Sequence, residues 1–215
     1  MPFISNESFQ DYVRGKRVAL VGPSASASSI EQGKLIDSYD FVARVKSYYV
    51  PLEKRKYYGE RVDFLYTDNN NTNDVIEGDS VTDAGTKRHI QVHPENARLR
   101  EEILRKKITA VISTCPAGEW FFNRSLAHPM TQLASITNVR IMPDSPYMEI
   151  RKETNRPNAG FSAIIDLVSL PFSEIYITGI DFYRSLYRDN YLNSLWTKET
   201  IQNMVGSPDG TTPDG

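Results

Sequence analysis

Residues 1–215 hold one cysteine, Cys115, and three histidines, His89, His93 and His128. A lone cysteine excludes a framework of intrachain disulfides. No apolar run approaches the roughly 18 residues needed to cross a bilayer, so no transmembrane segment is expected. Residues 1–10 are polar and carry Glu7, unlike a secretory signal. Neither sign of charge dominates. The 25 basic and 27 acidic residues leave a formal net charge of −2, which argues against a nucleic-acid binder. No Asp-x-Asp occurs, which speaks against a manganese-dependent nucleotide-sugar enzyme. Gly-x-Gly-x-x-Gly is missing too: after Gly22, Ser24 and Ala27 stand where further glycines belong. A dinucleotide pyrophosphate needs that close backbone approach, so NAD is disfavoured. No Walker loop follows either. The expected location is cytoplasmic, and a metal site is not expected.

What is present is an ordinary hydrophobic fraction of 40% and a length that buries a real core in a single domain. That domain is expected over residues 1–205, with 206–215 a flexible, truncated-looking tail of Gly, Ser, Pro, Asp and Thr. Residues 5–13 read as a short leading helix and 18–21 as a buried strand bounded by Gly22-Pro23. A short helix over 28–36, capped by Ser28 or Ser29, precedes a strand over 41–45. Strands follow over 62–66, 108–113, 139–142 and 175–178. Residues 67–86 read as a long loop, and 94–105 and 120–133 as helices. The pattern predicts a helix over 157–170 with an apolar face of Phe161, Ile164, Ile165 and Val168. Alternating strands and helices imply an α/β, Rossmann-like, open and mainly parallel sheet with helices on both faces. Ligands of such sheets sit beyond the carboxyl ends of the strands. Those ends carry Gly22-Pro23-Ser24, Thr114-Cys115-Pro116 and Gly179-Ile180-Asp181.

Two elements combine small residues with strand or helix ends. The loop after Val21 offers Ser24, Ser26, Ser28 and Ser29 to a phosphate or ribose, or is a plain strand-to-helix turn with a serine cap. The segment Arg156-Pro157-Asn158-Ala159-Gly160-Phe161-Ser162 opens a helix whose free N–H groups and positive dipole end suit an anion. Capping by Asn158 is compatible with that role. The next strand delivers Asp181 and Tyr183 to the same edge.

Residues 18–24 with 36–45 resemble the large sialyl motif of the sialyltransferases of glycosyltransferase family 29. Residues 158–162 with 174–183 resemble that family's small sialyl motif, and the likeness covers about 17–185. It looks closer to short viral, phage and bacterial members than to Golgi enzymes. It implies a single-domain variant of the GT-B fold, a CMP-activated donor of an acidic sugar, a glycan acceptor, no metal and inversion at the anomeric carbon. By position, Gly22, Pro23, Ser24, Asn158, Ala159, Gly160 and Phe161 inherit the nucleotide. Ser26, Lys46, Thr114, Gly179 and Asp181 join them as candidate donor contacts, with Tyr183 and His128 as acceptor candidates.

The chain departs from the family in several places. Pro23 stands where the family has Asn after the motif glycine, and Lys46 where it has Asn after the second strand. Lys46 suits a donor phosphate or carboxylate. Arg17 stands where secretory members have a cysteine, so their motif-linking disulfide is absent. The family takes its base from a histidine after the small motif, while His89, His93 and His128 all precede it. No catalytic residue is therefore assigned, and the histidine is expected beyond Gly215. His89 and His93 have the i, i+4 spacing of a zinc pair only if helical, and Pro94 disfavours that. Cys115 reads as a small buried residue or a thiol nucleophile. Trp120, Phe121 and Phe122 read as core or a sugar platform. Tyr183, Tyr187 and Tyr191 read as an acceptor groove or an edge cover, and Lys54-Arg55-Lys56 as a solvated face. Two alternatives remain: a nucleotide- or glycan-binding module without turnover, and a transferase using another nucleotide-sugar. A Rossmann-like enzyme using NAD or S-adenosylmethionine is the outlier.

Overall fold

The computed structural model describes residues 3–46, 50–67, 108–114, 116, 134, 137–153, 157–182 and 184. Helix α1 (Asn6–Val13) leads into β1 (Arg17–Val21). A 3-10 turn (Ala25–Ser29) and α2 (Gly33–Asp37) then precede β2 (Phe41–Val45). A second 3-10 turn (Leu52–Lys54) runs into α3 (Arg55–Tyr58) and β3 (Phe64–Thr67). Next come β4 (Ala110–Ser113), β5 (Val139–Ile141), α4 (Asp144–Glu153), α5 (Ala159–Val168) and β6 (Glu174–Thr178).

The six strands form one sheet in the order β5-β4-β3-β2-β1-β6. Every pairing is parallel. Strands β1 to β4 read as near-continuous Val, Ala, Leu, Ile and Phe because helices cover both sides of the sheet. On one face Val18, Leu20, Ala43, Phe64 and Ile112 meet Phe9 and Val13 of α1 and Ala163 and Leu167 of α5. On the other, Ala19, Val21 and Val42 meet Ala27, Ile36 of α2 and Tyr58 of α3. The expected fold class holds, with a wholly parallel sheet among the described strands. Phe3 pairs in parallel with Val139, laying the start of the chain along the β5 edge.

Two local expectations need correction, and one helix is added. No helix spans 28–36. Ser24, rather than Ser28 or Ser29, caps a 3-10 turn, and its hydroxyl accepts the Ser26 N–H. No element was expected over 144–153, where the structure has a helix that settles into helical backbone at Pro146, after the extended Ser145. Pro146 stands in the first turn, where its missing N–H costs nothing. The buried face of α5 holds Ile165, with Ile164 packed against the core, as expected, but it extends to a side that was not expected. Val168 is 62% exposed, while Ala163, Asp166 and Leu167 are buried.

The reason is a buried polar cluster. Arg140 of β5 donates to both oxygens of Asp166, at 2.6 and 3.0 Å. The Tyr66 hydroxyl donates to the same carboxylate at 2.7 Å. Arg140 Nε donates to Asn6 Oδ1 at 2.9 Å, which brings in α1. Burial and the adjacent carboxylate hold the Tyr66 hydroxyl well above its ordinary range. Burial alone would lower the Arg140 pKa, but Asp166 carries it above its usual value. A buried charge is tolerated only when paired and hydrogen-bonded, and here the pairing fixes which side of α5 faces the sheet.

Candidate functional site

The chain runs from β1 outward through β2, β3, β4 and β5, then returns to place β6 on the other side of β1. The direction of winding therefore reverses between β1 and β6. In open parallel sheets that reversal leaves a crevice at the carboxyl ends of the two strands, where ligands bind.

Gly22 and Gly179 meet at this point. The Gly22 N–H donates to Thr178 O at 2.8 Å, and the Ser24 N–H to Gly179 O at 2.9 Å. A Cβ on Gly22 would lie 2.2 Å from Gly179 O. Gly179 has φ +68, and a Cβ there would lie 2.5 Å from Gly22 O. The two strand ends touch backbone to backbone, and only glycine permits it. Pro23, half-buried, continues the loop to Ser24.

Buried Ser24 is the junction. Its hydroxyl donates to Asp181 Oδ2 at 2.7 Å and lies 2.9 Å from the Ser26 hydroxyl. Ser26 itself is exposed. The Ser24–Asp181 bond joins side chains 157 residues apart in sequence and adds to the backbone bonds between the two strand ends.

Helix α5 starts beside the same junction. Asn158 caps it, with Oδ1 accepting the Phe161 N–H at 2.9 Å. A Cβ on Gly160 would lie 3.3 Å from Ile180 Cγ2, so the first turn of α5 rests on the residue between Gly179 and Asp181. The Ala159 and Gly160 N–H groups belong to the first turn, where a helix has no acceptor of its own. Phe161 meets the exposed Phe182 edge to face, with ring centroids 6.0 Å apart.

Lys46 follows β2, the other neighbour of β1. Its φ of 60 is unusual for a side-chain-bearing residue, and its N–H donates to Tyr66 O at 2.7 Å. Phe182, after β6, has φ 54. These two left-handed residues flank the β1 end on either side, and strain of this kind gathers at functional sites. Thr114 is buried past β4, its N–H donating to Thr67 O at 3.0 Å. It shares the edge but lies three strands from Gly22, roughly 14 Å at the usual spacing. Gly22, Pro23, Ser24, Ser26, Asn158, Ala159, Gly160, Phe161, Gly179 and Asp181 come together, with Lys46 beside them and Thr114 apart. His89, His93, Cys115, Trp120, Phe121, Phe122, His128, Tyr183, Tyr187 and Tyr191 lie outside the described residues.

No family model and no curated protein sequence matches the chain. A solved structure does. The sialyltransferase CstII from Campylobacter jejuni, determined in complex with the substrate analogue CMP-3FNeuAc, matches with a TM-score of 0.52 at 13% sequence identity. The match covers 92% of this chain and 72% of that one. The chain has a sialyltransferase-like fold. Among the described residues no helix is long and apolar enough to cross a membrane. Nor do three or more His, Cys, Asp or Glu side chains gather among those residues.

A supporting layer went unrecognised in the sequence. The buried Tyr58 hydroxyl donates to Ser24 O at 2.9 Å and lies 2.9 Å from the Ser28 hydroxyl. Gln32 bridges the 3-10 turn to β6. At the opposite end of β6, away from the crevice, Tyr39 donates to Glu174 Oε1 and stacks on Tyr176. Burial, then that carboxylate, pushes the Tyr39 hydroxyl up to about 12. The available signal was the polar alternation Glu174, Tyr176, Thr178 along one side of an otherwise apolar β6.

Proposed function

We propose that the protein is a sialyltransferase-like glycosyltransferase that binds a CMP-activated acidic sugar in the β1–β6 crevice and passes the sugar to a glycan hydroxyl with inversion. One observation carries this reading: the Ser24 hydroxyl donates to Asp181 across the glycine contact, with the start of α5 resting on Ile180. A nucleoside monophosphate ester needs a place for its anion and acceptors for its hydroxyls. The Ala159 and Gly160 N–H groups, at the positive end of α5, suit the phosphate. The Asp181 carboxylate is an acceptor only, so it suits ribose hydroxyls and repels phosphate. This polarity orients the nucleoside toward β6.

Charge that builds on the departing CMP phosphate would be stabilised by the same fixed N–H dipoles, without a metal. Lys46 adds a positive charge on the β2 side, suited to the phosphate or the sugar's carboxylate. The shared fold with CstII, a protein solved with a CMP-sugar analogue, supports the choice of donor class.

The test is a thermal-shift titration with CMP, UDP, GDP, NAD and S-adenosylmethionine, each with and without EDTA. A ligand that binds only the native state raises Tm by mass action. Selective, EDTA-insensitive stabilisation by CMP is expected. Stabilisation by UDP or GDP instead would replace the donor, and stabilisation by NAD or S-adenosylmethionine alone would overturn the reading.

A further inference from the structure

Gln32 lies between the 3-10 turn and α2 and is only 8% exposed. Its side-chain amide uses both donors and its acceptor. Nε2 donates to Ala27 O at 3.1 Å and to Thr178 Oγ1 at 2.9 Å. Oε1 accepts the Tyr176 hydroxyl. Ala27 is the buried residue of the turn that Ser24 caps. Thr178 is the residue whose carbonyl accepts the Gly22 N–H. One amide thus ties the turn that follows Ser24 to the strand that delivers Gly179 and Asp181.

The geometry points to Gln32 as a positioning residue that holds the Ser24 hydroxyl against Asp181 and thereby sets nucleotide affinity in the crevice. This rests on the nucleotide reading above, although the clamp itself does not. The chemistry is specific to an amide. Two donors and an acceptor in one plane match a carbonyl, a threonine hydroxyl and a tyrosine hydroxyl. A carboxylate has no donor and would face the Ala27 carbonyl with like lone pairs. An apolar chain of similar length fills the volume but takes a hydrogen bond from the Ala27 carbonyl and from the Thr178 and Tyr176 hydroxyls, a costly change in a site this closed.

The experiment compares wild type, Gln32→Met and Gln32→Glu with Tyr39→Phe. The last removes the Tyr39–Glu174 bond on the same face and leaves the three Gln32 hydrogen bonds in place. Two readouts are taken: amide hydrogen exchange at Ser24 and Ala27, and the CMP Kd by calorimetry. Gln32→Met should speed exchange at both amides and weaken CMP about tenfold, while Tyr39→Phe leaves both as in wild type. Gln32→Glu should weaken CMP at about pH 8 and recover toward about pH 5, where a protonated carboxyl regains a donor for Ala27 O. Wild-type affinity should not follow that profile. If Gln32→Met fails to fold, the Gln32→Glu pH series decides alone.

Unchanged exchange in Gln32→Met overturns the inference, as does faster exchange with unchanged affinity. If wild type itself binds no CMP, the nucleotide reading falls. Exchange then still decides whether Gln32 holds the loop.

Discussion

Gly22→Ala tests the meeting of β1 and β6 without altering any polar group. The new methyl would stand 2.2 Å from Gly179 O, 2.4 Å from Ile180 Cγ1 and 2.8 Å from Gly179 C. Ordinary contact begins at 3.4 Å, so the strand ends must part by 1.2 Å, the difference of 3.4 and 2.2. The closest atom is backbone, so no side-chain rotation relieves the clash. Parting the strands stretches the Gly22–Thr178 and Ser24–Gly179 hydrogen bonds, now 2.8 and 2.9 Å, out of range. Overpacking costs about 1–3 kcal/mol, and each lost bond about 1 kcal/mol. The sum is about 3–5 kcal/mol, a fall in Tm of roughly 6–20 °C for a domain of this size. Differential scanning calorimetry and urea unfolding measure it. Gly15→Ala is the control. Gly15 has φ +71 but nothing within 4 Å of a Cβ, so it reports backbone strain alone, about 1–2 kcal/mol. Gly179→Ala combines both effects and should be the most damaging. A Gly22→Ala protein no less stable than Gly15→Ala would refute the close backbone contact.

Three further outcomes follow from the same structure. Asp166→Asn strands Arg140 in the interior and should cost about 3–5 kcal/mol in urea unfolding. Asn158→Ala removes the cap of α5 and should cost about 1 kcal/mol. It should also weaken CMP, because the first turn carries the proposed phosphate contacts. Tyr39 ionises at about 12 in the native state against an ordinary 10.0. The native state holds this proton more tightly, so its contribution is complete below pH 10 and is lost as pH rises through about 12. The urea midpoint should fall across that window, and less steeply in Tyr39→Phe.

The strands were legible where they are buried on both faces. Runs such as Val18-Ala19-Leu20-Val21 and Ala110-Val111-Ile112 have few other readings in a chain of this composition. The anion-ready ends were legible too, because Gly22 and Asn158-Ala159-Gly160 stand where a strand stops or a helix starts. Their meeting was not legible from local sequence, since the Ser24–Asp181 bond depends on β6 crossing to the far side of β1. Ile164 and Ile165 of α5 were legible as core, but the buried side that holds Asp166 escaped because Asp166 counts as polar in any periodicity. Only Arg140 and Tyr66, on strands distant in sequence, make it a core residue. Gln32 escaped for the same reason, as its partners lie in the turn before it and in β6. Lys46 and Thr114 share an edge through parallel register, but strand order separates Thr114 from the crevice.

In the proposed function a cytidine nucleotide occupies the crevice between β1 and β6. A crystal structure of the protein with CMP would show whether it does. The phosphate should lie at the Ala159 and Gly160 N–H groups and the ribose hydroxyls at Asp181, with Gly22 beneath. CMP bound elsewhere, or lying with its phosphate against Asp181, would contradict it.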